Sequence, residues 1–394
     1  MTSHTVPPVP PVPRRGRPLH TVQVLGGGSA CTGAHVRSLT AGLVARGVRV
    51  TVCAPAGAEL AYGFSRVGAG FAPVSARTEP ETLASLRAVC AGADLVHAHG
   101  LRAGLMAALA LGGRRDTTPL VVTWHNRTLS QGFRARLTRL LERRVVRAAR
   151  VVLGASSDLV ERARRRGARD ARLAPVAVPS AGRPRSFAGD YAGRDKVRAE
   201  LGALGRPLVF TMGRLEPQQG HDVLLTAARA WRRLDPTPLV LVAGEGSRRA
   251  ALQERIDAEE LPVRLIGCVT RAVEAVRMLA AADVAVLPSR WTARSPFAQE
   301  ALHAGVPLVA TAVGGVPELV GDAAVLVPYG DADALAAAVG GLLADPARRA
   351  GLAARGRAQA ATWPSEDGTV THVLGVYDEL AAATGEPLSE PVRV

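Results

Sequence analysis

Lysine is almost missing from this chain: Lys196 is the only one, so the formal charge of +15 rests on arginine. Aromatic residues are also scarce, at 4%. That is too few for an aromatic-rich all-β architecture, and too few for the stacking platform that single-stranded nucleic acid needs. Nucleic acid is therefore not an expected partner; the positive charge points to anionic lipid or phosphorylated small molecules, or equally to a general drift toward arginine. The four cysteines, Cys31, Cys53, Cys90 and Cys268, show no CxxC spacing. This argues against a zinc site or a disulfide framework and fits a reducing cytoplasm. No metal-ligand constellation is visible, so no metal and no cofactor are expected. Apolar runs such as 103–111 fall well short of the ~18 residues that suggest a membrane span. The opening MTSHTVPPVPPVPRRGRP lacks the apolar stretch of a signal peptide and reads as a flexible Pro-rich tail over 1–19.

What the chain does have is 47% hydrophobic residues, mostly Ala, Val and Leu, arranged as short strands alternating with helices. HTVQVLGG, VRVTVCAP, DLVHAHG, LVVTWH and RVVLGAS read as strands, with helices between them. Val36, Leu39, Leu43 and Val44 mark one face of the helix after the first strand, and Gly47 ends it. Asp158 with Glu161 has the spacing of a capping box. Periodicity is lost over 179–205, which reads as an interdomain connection. It restarts at PLVFTMGR and continues through PLVLVAGEG, VRLIGCV, DVAVLPS, VPLVATA and AAVLVP. The expected fold is α/β, with two Rossmann-like domains at 20–178 and 206–364 facing each other across a cleft, then a C-terminal helix and tail over 365–394. Ligands of such sheets bind outside the carboxyl ends of the strands.

Several charged and polar residues stand at those ends. Arg214 follows the strand that closes at Gly213, where a guanidinium fork can grip phosphate oxygens. Glu300, in SPFAQEALHAG, offers a carboxylate that can accept from two vicinal hydroxyls. His125 closes LVVTWH, where an imidazole can hydrogen-bond and orient a substrate hydroxyl. Gly27 and Gly28 lie in a glycine run after the first strand, followed by His35; small residues there let backbone amides approach a ligand.

Together PLVFTMGRLEPQQGHDVLLTAARAW and SPFAQEALHAGVPLVATAVGGVPELV resemble the retaining glycosyltransferases of family four, which have the GT-B fold and use nucleotide-diphosphate sugars. The resemblance runs from about 20 to 380 and is strongest in the second half. It implies that the C-terminal helix returns to the N-terminal domain. It further implies that Arg214, Gln219 and Ser295 hold the diphosphate, Glu300 the ribose, and His125 the sugar near its reacting carbon. His97 and His99 match the family's strand-end histidine pair, and Gly314, Gly315 and Glu318 match a loop and helix start.

Two positions depart from the family pattern. Gln219 stands where a phosphate-binding lysine is usual, and Thr292 where a sugar-binding glutamate is usual, eight positions before Glu300. Gln and Thr can hydrogen-bond but bring no charge. Arg294 is a nearby candidate for the missing cation.

Arg134, Arg136, Arg139, Arg143, Arg144, Arg147 and Arg150 crowd one helical segment, interleaved with Leu137, Leu140, Leu141 and Val145. Arg162, Arg164, Arg165 and Arg166 crowd another. The first pattern resembles the membrane-facing basic helix of GT-B enzymes with lipid-linked acceptors; a solvated face packing by its leucines fits equally. Two functions stand. One is a cytoplasmic enzyme, peripheral on the inner membrane face, moving sugar from a nucleotide-sugar donor to a hydroxyl acceptor with retention. The other is a catalytically inactive glycosyltransferase-like binding or scaffold subunit at the membrane surface.

Overall fold

The structure, a computed structural model, describes residues 18–27, 30–74, 79–112, 118–129, 132–177, 191–269 and 271–383. Nearly all of the tail expected at 1–19, and Gly28 of the glycine loop, lie outside them. The chain divides into two compact units, Met1–Pro179 with Pro364–Val394 and Ser180–Trp363.

The first unit holds a seven-stranded parallel sheet of order β3-β2-β1-β4-β5-β6-β7. Its strands are β1 (His20–Leu25), β2 (Arg49–Ala54), β3 (Gly70–Pro73), β4 (Leu95–His99), β5 (Leu120–Trp124), β6 (Val151–Gly154) and β7 (Ala171–Leu173). Every residue of β1, β4, β5 and β6 is buried, as expected of central strands covered on both faces. The outer strands β3 and β7 carry too little apolar pattern to be seen in the sequence, and their residues are largely half-buried or exposed.

Helix α1 (Ala30–Ala45) buries Val36, Leu39 and Leu43 at helical spacing. Further helices follow as α2 (Ala56–Tyr62), α3 (Glu79–Cys90), α4 (Leu101–Leu111), α5 (Gly132–Ala148) and α6 (Ser157–Arg165). The residue preceding α6 is Ser156, so the capping box expected at Asp158 and Glu161 is not the one used; the Ser156 hydroxyl donates to Asp158 at 2.6 Å. After traversing the second unit the chain returns as a helix over Glu366–Ala383, here α15, whose Val370, Val373, Leu374 and Tyr377 join the core of the first unit. A Cβ on Gly42 of α1 would stand 2.4 Å from a Val370 methyl, so glycine permits this close approach. Ser38 donates to Glu366 and Arg46 pairs with Asp367, which fastens the start of α15 to α1.

The second unit repeats the plan with a six-stranded parallel sheet, β10-β9-β8-β11-β12-β13. The strands are β8 (Leu208–Met212), β9 (Leu239–Ala243), β10 (Val263–Gly267), β11 (Val284–Leu287), β12 (Leu308–Thr311) and β13 (Val325–Val327). Helices α7 (Tyr191–Glu200), α8 (His221–Trp231), α9 (Arg249–Ala258), α10 (Ala272–Ala281), α11 (Pro296–Ala304), α12 (Val316–Val320), α13 (Ala332–Ala344) and α14 (Pro346–Ala361) complete it. Separate apolar clusters cover the two faces of the sheet. Helix α7 corrects the expectation of a bare connection over 179–205. Val197 and Leu201, four residues apart, bury against this unit's core, and Arg194 and Arg198 both bind the Asp283 carboxylate.

Candidate functional site

In each unit the strand order reverses beside its first strand, between β1 and β4 and between β8 and β11. Such switch points, at the carboxyl ends of the strands, are where open parallel sheets bind ligands.

In the first unit this end is lined with histidine. His97 and His99 alternate along β4 and so share one face. Gln23 of β1 lies in register with His97, and Thr123 of β5 with His99. His125 follows β5, and His35 comes from α1. Burial drives the His35 pKa down to about 4 and that of His97 to about 3, the latter with help from His35. The same desolvation, with neighbouring imidazoles second, holds His99 and His125 well below the ordinary range. All four are therefore neutral near pH 7, each with one ring proton.

Hydrogen bonds then assign those protons. The Gln23 amide nitrogen donates to the Tyr377 hydroxyl (3.0 Å), so the Tyr377 proton goes to His97 Nδ1 (2.6 Å) and His97 Nε2–H donates to Thr123 (2.6 Å). The Gln23 amide oxygen accepts from His99 Nε2 (3.0 Å), which leaves His99 Nδ1 to accept from His125 Nε2 (3.2 Å). One consistent chain of donors thus runs from His125 to Thr123, through a tyrosine 280 residues from His97. Its outcome is a bare lone pair on His125 Nδ1, with no partner among the described residues. Gln23, Thr123 and Tyr377 were missed in the sequence. Gln23 left a signal there, as the one amide inside an apolar strand; Tyr377 left none.

The sequence shows no metal-ligand spacing; among the described residues the fold brings ligating nitrogens of His35, His99 and His125 within 4.8 Å of one another. The β1–α1 turn that delivers His35 passes close to α4, since a Cβ on Gly26 would stand 3.1 Å from the Ala103 nitrogen. Gly27 takes φ +79°, open to glycine.

In the second unit the loops after β8, β9 and β11 touch backbone to backbone. A Cβ on Gly244 would lie 1.9 Å from the Gly213 carbonyl, and one on Gly220 1.9 Å from that of Pro288. Arg214, at the end of β8, is exposed and forms no side-chain hydrogen bond or salt bridge among the described residues. Gln219 closes a single 3-10 turn, Pro217–Gln219, and its amide oxygen accepts from Ser289 at 3.3 Å. Ser295 is buried and caps α11, accepting from the Ala298 nitrogen at 3.3 Å. Thr292 is half-buried and its carbonyl accepts from Gly315 at 3.0 Å; Glu300 is half-buried on α11. All five residues thus follow two neighbouring strands, β8 and β11, at one end of the sheet. Arg294 stands half-buried in the same loop, and its Nε and Nη2 have no hydrogen-bond partner among the described residues. Its guanidinium lies 5.7 Å from the Trp363 ring centre, and burial lowers its pKa. A cavity of about 250 Å³ lined by Arg198, Arg206, Asp283 and Arg349 lies elsewhere, at the amino ends of β8 and β11, where its arginines bind backbone carbonyls and Asp283.

The arginine clusters also separate. Arg162 of α6 and Arg166 just after it both grip the buried Glu142 carboxylate, so they are structural. Helix α5 instead exposes Phe133 (78%), Leu137 (47%) and Leu140 (60%) among Arg134, Arg136, Arg143 and Arg144. No described helix is long and apolar enough to cross a membrane.

Two parallel sheets ordered third-second-first-fourth-fifth-sixth, the first extended by a seventh strand, with a terminal helix returned to the first unit, define a GT-B fold. The Anabaena HepE structure in complex with UDP-glucose superposes with a TM-score of 0.76 at 18% identity, covering 92% of this chain and all (100%) of that one. Residues 32–179 match the family described as "Glycosyl transferase 4-like domain", and residues 193–359 match "Glycosyl transferases group 1". The chain belongs to the family-four glycosyltransferases. It is 32% identical over 333 residues to the D-inositol 3-phosphate glycosyltransferase of Salinispora arenicola, covering 75% of this chain and 71% of that protein. It is 35% identical over 183 residues to the GDP-mannose-dependent alpha-(1-6)-phosphatidylinositol monomannoside mannosyltransferase of Mycolicibacterium smegmatis, covering 43% of this chain. The chain spans about half (47%) of that mannosyltransferase's length.

Proposed function

We propose that this protein is a glycosyltransferase that moves a sugar from a nucleotide-diphosphate donor to a hydroxyl acceptor with retention of configuration. The observation that carries this is Arg214, an exposed guanidinium at the carboxyl end of β8 with no side-chain hydrogen bond or salt bridge among the described residues, beside loops held close by Gly213, Gly220 and Gly244. An exposed guanidinium fork at a switch point suits a diphosphate, and it stabilises the negative charge that grows on the leaving group. The Ser295-capped start of α11 adds backbone dipole to the same task, and Glu300 accepts from the ribose hydroxyls. In the transfer step the bond from the anomeric carbon to the diphosphate oxygen breaks. A bond to the acceptor oxygen forms on the same face, and the acceptor's proton passes to the departing phosphate oxygen. Neutral His125 accepts from a sugar hydroxyl through Nδ1, the lone pair its hydrogen-bond chain leaves free. Gln219 contributes a hydrogen bond without charge and Thr292 replaces a carboxylate, so Arg214 carries most of the phosphate charge.

The acceptor side is read from α5. Exposed Phe133, Leu137 and Leu140 amid arginines fit an anionic membrane surface, with the protein peripheral on the cytoplasmic face and its acceptor lipid-linked. The mannosyltransferase relative, whose name specifies a phosphatidylinositol monomannoside, supports the lipid-linked choice.

The competing reading is an inactive scaffold subunit, favoured by the engagement of Gln219 with Ser289 and by Thr292. Calorimetry with uridine, guanosine and adenosine diphosphate sugars separates the two. A micromolar hit lost in Arg214→Ala and Glu300→Ala supports transfer, and silence across the panel supports the scaffold.

A further inference from the structure

Beyond the sugar-binding role given to His125, we propose that His35, His99 and His125 form a binding site for a borderline divalent transition ion of the zinc class. The site lies wholly within the first unit, and the ion's occupancy removes His125 from sugar binding.

Three features argue for it. The ligating nitrogens already lie within 4.8 Å of one another, and His99 Nδ1 stands 3.2 Å from His125 Nε2. Imidazoles bound to one tetrahedral zinc at ~2.0–2.1 Å stand about 3.3 Å apart, so that pair is already spaced as ligands and His35 needs to close by only roughly 1–2 Å. Next, His99 is braced as metal-bound histidines are. Its outer nitrogen, Nε2, donates to the Gln23 amide oxygen at 3.0 Å, which fixes Nδ1 as the unprotonated nitrogen facing the cluster, where it accepts from His125 Nε2 until an ion takes that place. Finally, His35 is 5% exposed, yet its ring makes no hydrogen bond among the described residues. It stands edge-on to His99 and His125, with ring centres 5.9 and 5.1 Å away, so its lone pair is available without breaking anything. A three-imidazole set suits zinc, copper(II) or nickel(II) over magnesium or calcium, and leaves a fourth position for water.

Proton accounting is simple. His125 binds the ion through Nε2, and the proton there moves to Nδ1, so none is released overall. The nitrogen that accepted from a sugar hydroxyl becomes a donor, and the ion's water occupies the space beside it. Zinc therefore inhibits transfer, a consequence that rests on the sugar role of His125; metal binding itself does not.

The test is zinc chloride titration of the full chain by calorimetry, in a background with exposed Cys31 and Cys268 changed to serine, alongside the visible absorption of the cobalt(II) form. The expected result is one equivalent bound at micromolar strength, weakened at least ~30-fold by His35→Ala and by His99→Gln. Tetrahedral cobalt bands should vanish in both variants. His35→Ala is the cleaner variant, because that ring holds no hydrogen bond; its far-ultraviolet circular dichroism and melting curve check the fold. No binding below millimolar zinc, or binding of unchanged strength in both variants, overturns the site. If zinc binds as expected yet does not slow transfer, the site stands and the sugar role of His125 fails.

Discussion

The hydroxyl of Tyr377 lies 2.6 Å from Nδ1 of His97, although 280 residues separate them in the chain. Through Gln23 the same hydroxyl is tied to His99 and so to His125, which makes the C-terminal helix part of the machinery that fixes the His125 tautomer.

Tyr377→Phe should therefore do more than destabilise. It leaves His97 Nδ1 and one Gln23 N–H without partners in the core, at a cost of about 1–3 kcal/mol in denaturant unfolding. Turnover should fall at least several-fold while nucleotide affinity, proposed above to rest on residues of the second unit, stays unchanged. Loss of nucleotide affinity in parallel would show a general structural defect instead.

Acid should unfold this protein through its histidines. In the unfolded chain their pKa is near 6.5, whereas His35 protonates only near 4 and His97 near 3 in the fold. The unfolded state then binds more protons below 6.5, so stability is complete above that pH and falls as the pH drops toward 4. Each such histidine contributes a slope of about 1.4 kcal/mol per pH unit. Unfolding free energy measured from pH 7 to 5 should show this, and His97→Gln should remove about one proton's worth of slope whatever its effect on absolute stability.

For the donor site, Arg214→Ala should weaken nucleotide-diphosphate binding by about ten- to a hundredfold, the value of a charge-assisted pair. Gln219→Lys with Thr292→Glu supplies the charges usual in the family. In a working enzyme the pair changes rate modestly. In an inactive one, donor affinity should appear in calorimetry where none existed.

Replacing Phe133, Leu137 and Leu140 together with serine should leave the melting temperature within a degree or two, since these side chains are exposed. Co-sedimentation with vesicles rich in anionic lipid should drop strongly, because apolar burial and about 1 kcal/mol per arginine act together at such a surface. Unchanged vesicle binding would remove α5 from the membrane reading.

Gly220→Ala tests the packing of the donor loops. The residue has φ +74° and its Cβ would stand 1.9 Å from the Pro288 carbonyl. Strain of at least ~1–2 kcal/mol and a lowered melting temperature are expected, with donor binding lost alongside.

Much of this was legible in the sequence. Continuous apolar strands such as LVVTW and LVLVA announce sheets buried on both faces, and glycines or charges at their carboxyl ends mark the switch points. The edge strands β3 and β7 were not legible, since GFAP and ARL bury too little to carry a period. Nor was α7, whose Tyr191–Glu200 is half charged and shows its helix through the packing of Val197 and Leu201.

The sequence by itself determined the two-fold repetition of strand and helix, the family, and the positions of Arg214, Glu300 and His125, because these depend on local pattern and fixed spacing. Tertiary structure decided the rest. It separated the structural Arg162 and Arg166 from the exposed arginines of α5 by burying Glu142, and it set Arg294 against Trp363. It also gathered His35, Gln23, His97, His99, His125 and Tyr377 into one network. A hydrogen bond or a shared ligand depends on a few ångströms in space, and residues hundreds of positions apart leave no periodic trace of that distance in the chain.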